Sequence, residues 1–192
     1  MKHIDGQMPV LALSLAPGGA RIGLILLGAL VSAHCQRTGD TPAGGGSAAC
    51  CVLTRADDVP QGKGRVAVAS PPGADSTRLD VYAPGDTKQS LANGYGAAKL
   101  AVAPGTYDVV LGGKRVPGVQ IKEGYETRIR AGTVHVYAGE STHIEFYEPG
   151  GTVALADGYG EKQYGFPVGR VEIAVAGQRE TLTIEDGVVT DF

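Results

Sequence analysis

The chain has 192 residues, of which 43% are hydrophobic and 19% charged, and it carries 30 glycines; that composition suits one or two small, turn-rich globular domains. A formal charge of -3 with no local basic run excludes the electrostatic footprint of a nucleic-acid-binding protein. Tryptophan is absent and aromatics make up only 6%, which argues against a large stacking platform.

The first element is an export segment. Arg21 precedes the apolar stretch IGLILLGALVSA, Ile22 to Ala33, which has the length of a signal hydrophobic region and falls short of the ~20 residues a spanning helix needs. The small residues Val31-Ser32-Ala33 suit signal peptidase and leave His34 as the first mature residue. The run SAHCQRTGD is also similar to a bacterial lipoprotein cleavage region, in which Cys35 carries the lipid, although His34 and Ser32 depart from the usual residues. Either outcome exports the chain, as a lipoprotein at the outer surface of a membrane or in the periplasm, or as a secreted product. An uncleaved anchor is a third reading, opposed by Arg21 and by the Pro-Gly-Gly run at Pro17 to Gly19.

Residues 1–34 therefore read as a signal segment and 35–63 as a flexible tether rich in Gly, Ala and Thr, too poor in apolar residues to build a core. All three cysteines, Cys35, Cys50 and Cys51, precede the expected folded part. With Cys35 lipidated, Cys50 and Cys51 remain as neighbours whose direct bridge is strained. The alternatives are a disulfide from Cys35 to one of them, free thiols, or a metal held by the pair.

The remainder is an internal duplication. GRVAVA at Gly64 matches GTVHVY at Gly132, and STRLDVYAPGDT at Ser76 matches STHIEFYEPGGT at Ser141. LANGYG at Leu91 then matches LADGYG at Leu155, APGTYDVVLGGKR matches PVGRVEIAVAGQR, and IKEGYETRI matches IEDGVVTDF. Residues 64–131 and 132–192 are two copies of one unit. In each copy apolar residues alternate with polar ones, as at Leu79 and Val81 or Tyr107, Val109 and Leu111, the period of half-buried strands. Asn93-Gly94 and Asp157-Gly158 predict type I′ hairpin turns, and Pro84-Gly85, Pro104-Gly105 and Pro149-Gly150 mark further turns. The expected fold class is all-β, as two tandem small antiparallel β-sandwich repeats with six or so short strands each.

The run LANGYGAAKLAVAPGTYDVVLGG followed by GVQIKEGYETRI resembles the carboxypeptidase regulatory-like, or transthyretin-like, β-sandwich modules of exported bacterial proteins. The second copy departs where Val171 replaces Tyr107. The resemblance implies a spacer, adhesive or accessory module and no catalysis. It implies little about a ligand, because the shared residues are those of turns and core. Pilin and adhesin modules of the Cna-B type share this sandwich and carry a Lys–Asn isopeptide bond. The chain holds one asparagine, Asn93, so the second copy cannot form that crosslink.

No hydrolase elbow, zincin motif, phosphate loop or calcium loop is present, so the chain is expected to be no enzyme and to need no cofactor. Gly112-Gly113-Lys114 needs no more than a turn. Tyr95 and Tyr159, just past the duplicated turns, are candidate ligand-binding residues or packing anchors. If Val134, Val136, Ile144 and Phe146 face the core, His135, His143 and Glu145 face out and are candidate metal ligands, the alternative being a solvated sheet face. The expected function is a non-catalytic extracytoplasmic structural or binding module with a protein or glycan partner in the envelope. A small-ligand- or metal-binding secreted protein is the alternative. Charge differs between the copies: nine Lys and Arg against six Asp and Glu over 64–131, a net +3, and three against ten over 132–192, a net -7. That inversion reads as surface drift, or as attraction between copies within one molecule or head to tail between molecules.

Overall fold

The structure is a computed structural model that describes residues 50–69 and 72–192. The expected signal segment, Cys35 and most of the tether lie outside the described residues. The described residues belong to one compact unit.

Its fifteen strands fall into four sheets. The first sheet joins β1 (Cys51–Arg55), β8 (Tyr125–Ile129), β2 (Gly64–Val68) and β5 (Lys99–Val102), in that order. The second joins β4 (Ser90–Tyr95), β3 (Arg78–Tyr82), β6 (Gly105–Leu111) and β7 (Lys114–Ile121). The second copy repeats these orders. One of its sheets runs β12 (Lys162–Pro167), β9 (Ala131–Val136), β15 (Val189–Asp191), and the other runs β11 (Ala154–Tyr159), β10 (His143–Tyr147), β13 (Gly169–Val175), β14 (Gln178–Ile184). The duplication extends to detail: β8 lies parallel to β2 as β15 does to β9, and a bulge interrupts β3 at Val81/Tyr82 and β10 at Phe146/Tyr147.

The alternation read from the sequence sets which side chains are inside. Val66, Leu79, Val81, Val109, Val119 and Ile129 are buried in one core, and Val134, Ile144, Phe146, Phe166, Val171 and Ile173 in another. The two tandem sandwiches expected from that pattern are not what the strands assemble. The four small sheets are arranged in a ring, like the blades of a four-bladed β-propeller. Period-two patterning specifies which face of a strand is buried and leaves open which sheet stands beside which.

Two local expectations also change. The tether does not run to residue 63, because Cys51–Arg55 is an antiparallel partner of β8, Cys51 lying opposite Ile129 and Arg55 opposite Tyr125. Asn93-Gly94 and Asp157-Gly158 are not turns. They lie inside β4 and β11, with Asn93 opposite Asp80 and Asp157 opposite Glu145. The left-handed residue of each motif is its final glycine, Gly96 at φ 58° and Gly160 at φ 71°. A Cβ on Gly94 would stand 2.8 Å from Ala98 Cβ, and one on Gly158 2.6 Å from the Tyr164 hydroxyl. The duplicated L-A-x-G-Y-G is therefore a strand that lets the returning chain cross close over it and then turns on a positive-φ glycine.

Candidate functional site

The densest polar construction is also duplicated. In the first copy Asp108 on β6 accepts hydrogen bonds from the N–H groups of Gly85 at 3.0 Å and Gly118 at 3.1 Å, and from Arg115 Nη1 at 2.9 Å. The Arg115 guanidinium lies over the Tyr82 ring, 5.2 Å from its centroid. In the second copy Glu172 accepts from Gly150 N–H at 3.0 Å and Arg179 Nη1 at 2.8 Å, and Arg179 lies 3.9 Å from the Tyr147 centroid. Each unit fastens a Pro-Gly turn to the middle of a sheet. The N–H donated by Gly85, then Gly118 and Arg115, outweigh burial and hold the Asp108 carboxyl below the usual range. Gly150 and then Arg179 do the same for Glu172. Sequence reading passed over these residues, although Asp108 with Arg115 and Glu172 with Arg179 recur at one spacing on paired strands and so were visible as matched pairs.

A second construction joins the copies. The β6–β7 turn, Gly112 at φ 57° and Gly113 at φ 82°, lies against the second copy so closely that a Cβ would strike the carbonyl of Gly165 or of Leu155. Beside it Lys114 Nζ donates to Glu148 at 2.9 Å and to the Arg170 carbonyl at 2.6 Å. Gly165 N–H donates to the buried Thr77 Oγ1 at 2.8 Å. At the tandem link Asp186 accepts from Arg128 Nη2 at 3.0 Å, Arg130 Nε at 3.2 Å and Ala131 N–H at 3.2 Å. Burial acts to raise the Asp186 pKa, and these donors together reverse that and lower it. The charge difference between copies is thus expressed, in part, as ion pairs across their seam.

The expected metal ligands are not brought to one site. His135, buried in the middle of the three-stranded sheet, has Nε2 at 2.9 Å from Glu161 and Nδ1 at 3.4 Å from Asp191. His143 stands in a different sheet, with Nδ1 3.8 Å from Glu145 and Nε2 3.6 Å from Asp157. The single outward face expected for all three fails because β9 and β10 belong to separate sheets. Among the described residues no group of three or more His, Cys, Asp or Glu is placed to hold a metal ion.

Tyr95 and Tyr159 occupy equivalent places, opposite Arg78 and His143, and are 59% and 58% exposed. They are surface groups rather than packing anchors; Tyr159 lies 4.7 Å from the His143 ring. Neither lines the open groove of about 310 Å³ bounded by Arg55, Ala56, Val59, Glu123 and Tyr125. Cys50 and Cys51 are thiols with sulfurs 3.3 Å apart. The hydrogen bond from Cys51 lowers the Cys50 pKa to about 7 and the same contact raises that of Cys51.

No family model matches the chain, and no curated protein matches it. Among solved structures it is similar to the Bacillus anthracis TIE protein, at 15% identity and a TM-score of 0.30, over 67% of this chain and 33% of that one. The chain thus spans about a third of the length of that protein.

Proposed function

We propose that the chain is a non-catalytic structural and binding module of the cell envelope or the secreted fraction, exported by its N-terminal apolar segment. The observation that carries this reading is how the polar groups are used. Asp108, Arg115, Glu172, Arg179, Asp186 and Lys114 fasten turns to sheets or one copy to the other. They make a stiff body that presents equivalent exposed tyrosines, Tyr95 and Tyr159, on its two halves. Exposed tyrosine is a residue of contact surfaces, an apolar ring with a polar tip. Such a body suits a spacer or adhesive unit with a protein or glycan partner.

Fractionation of cells expressing the full chain, with and without Cys35→Ala, tests the reading. Recovery in the membrane fraction that is lost in Cys35→Ala supports a lipid-anchored module; recovery in the periplasm or medium supports a secreted one. Retention of the unprocessed chain in the cytoplasm overturns the proposal.

A further inference from the structure

The internal duplication supplies a control for every strand, and one strand fails it. Seven strands of the first copy have counterparts in the second, but β1 has none. In the first copy β1 lies along the outer side of β8, with Val52 opposite Arg128 and Thr54 opposite Glu126. The counterpart of β8 is β15, whose outer side carries no strand among the described residues.

The chain cannot fill that side as the first copy does. The segment that enters the second copy is β8 itself, already paired with β1 and β2, and only Arg130 separates it from β9.

The hydrogen bonds show which groups are left facing outward. Val188 C=O accepts from Thr133 N–H, and Phe192 donates to the His135 carbonyl and accepts from Tyr137 N–H. Alternation along a parallel ladder then turns the N–H and C=O of Val189 and Asp191 away from β9. These residues align with Glu126 and Arg128, the two that face β1 in the first copy. On β1, Cys50 C=O accepts from Arg130 and Ala56 N–H donates to Gly124, so even-numbered residues bond to β8. Cys51, Leu53 and Arg55 turn their main-chain groups outward. Among the described residues, β1 and β15 thus each leave an outward edge, one the strand the second copy lacks and the other the place where it is lacking.

We propose that these edges pair between two copies of this chain, β1 of one lying along β15 of the next. The two edges share exposed apolar side chains, Val52 at 39% and Leu53 at 52% on β1, Val188 at 42% and Val189 at 37% on and beside β15. They also carry opposite charge. The offering edge ends in Arg55, which also lies 3.4 Å from Asp57, and is paired to the copy of net +3 through β8, while the receiving edge belongs to the copy of net -7 and ends in Asp191. Joined, they make one continuous sheet, β5-β2-β8-β1 followed by β15-β9-β12 of the neighbour. The contact is heterologous, so it propagates head to tail rather than closing as a symmetric dimer. The inference rests on the strand edges and not on export, so it stands or falls separately from the proposed function.

The test is sedimentation of the full chain, and of its compact part 42–192, up to about 1 mM and across a salt series. Leu53→Pro and Val189→Pro each remove an outward N–H without touching the ladder to β8 or β9. The parent is expected to show a mass that grows past twofold with concentration and falls as salt rises through the screening range. Each variant alone should remain monomeric, because one of its edges is blocked. An equal mixture of the two should recover a mass of twofold and no more, since one intact offering edge meets one intact receiving edge. A parent that stays monomeric at the highest concentration and lowest salt overturns the proposal. So do single variants that associate like the parent, or a mixture that does not dimerise. Where a proline variant loses the parent's far-ultraviolet circular dichroism, Lys at the same position replaces it, a charge on a strand edge having the same blocking effect.

Discussion

Asp186 is the place to ask whether the two copies are held by charge or by a buried hydrogen bond. Its carboxylate meets two guanidinium groups and one backbone N–H, and these partners differ in environment. The side chains of Arg128 and Arg130 are 33% and 40% exposed, whereas Ala131 is wholly buried. Ion pairs of that exposure contribute about 0–1 kcal/mol each, because water and salt screen them and the long side chains lose rotamer freedom. A buried N–H left without an acceptor costs about 1–3 kcal/mol. Asp186→Ala removes everything and should cost about 1–5 kcal/mol, the sum of the two lost pairs and the orphaned donor. Asp186→Asn removes the charge from both pairs but keeps an amide oxygen for Ala131, and should cost no more than about 2 kcal/mol. Urea unfolding of residues 42–192, followed by circular dichroism, gives both values from shifts in midpoint at constant slope. A cost for Asn equal to that for Ala would refute the reasoning and assign the seam to Coulomb attraction. An unchanged midpoint in both would show that Asp186 does not clasp the copies at all.

Thr77→Val should cost about 1–3 kcal/mol, because it leaves the Gly165 N–H buried without its acceptor, while Thr77→Ser, which keeps the hydroxyl, should cost less; thermal melts of the pair read the difference. Thr133 is the converse case. Its buried hydroxyl has no hydrogen-bond partner among the described residues, so Thr133→Val should be neutral or raise the melting temperature. On acidification, the lowered folded-state pKa values of Asp108, Glu172 and Asp186 give a stabilisation that is complete above the unfolded carboxyl values near about 4 and is lost as pH falls through the folded values; urea midpoints should fall below about pH 4, and less steeply in Asp108→Asn. Cys50, with its pKa lowered to about 7, should be alkylated by iodoacetamide with a half-maximal rate near that pH, and a rate still rising steeply above pH 8.5 would contradict the assignment.

Much of the strand layer was legible in the sequence, because alternation and turn residues act locally. Leu79, Val81, Val109, Ile144 and Phe146 were placed on buried faces by period two alone, and the duplication was visible by simple alignment. The turn at L-A-x-G-Y-G was misplaced by two residues for a physical reason. Asn-Gly suits a type I′ turn, but Gly94 and Gly158 are glycine because the returning strand passes too close for a Cβ, and the positive φ falls on Gly96 and Gly160. Strand β1 was missed because Cys51–Arg55 follows a run of Gly and Ala and has no partner within fifty residues. Its partner, β8, lies at least seventy residues away, and a pairing of that separation leaves no local trace. The His135 and His143 grouping failed similarly, since strand parity predicts a face and not which sheet the face belongs to.

The ring of sheets was beyond reach of the alternation pattern, yet part of its seam is written in the chain as disagreement between the copies. Residues that build each copy from within agree or change conservatively: Leu79 with Ile144, Asp108 with Glu172, Arg115 with Arg179, Gly85 with Gly150. Among residues that touch across the seam, Thr77 and Gly113 keep their type in Thr142 and Gly177, and others change. Gly112, pressed against Gly165, aligns with Ala176, which adopts φ 50° with its side chain in the open turn of β13 and β14. Lys114, paired with Glu148, aligns with Gln178, and Glu148 aligns with Ala83. Gly165 itself aligns with Ala101 and so admits Thr77 from the other copy, whereas Thr142, the equivalent of Thr77, meets no such partner in hydrogen bonding. The reason is geometric. Each of these contacts joins non-equivalent positions of the two copies, Lys114 with Glu148 and Thr77 with Gly165, so the equivalent positions need not share the constraint. Several of the changes at aligned positions therefore fall at contacts between the copies, and part of the charge difference is closed inside the molecule, where Lys114, Arg128 and Arg130 of the first copy meet Glu148 and Asp186 of the second.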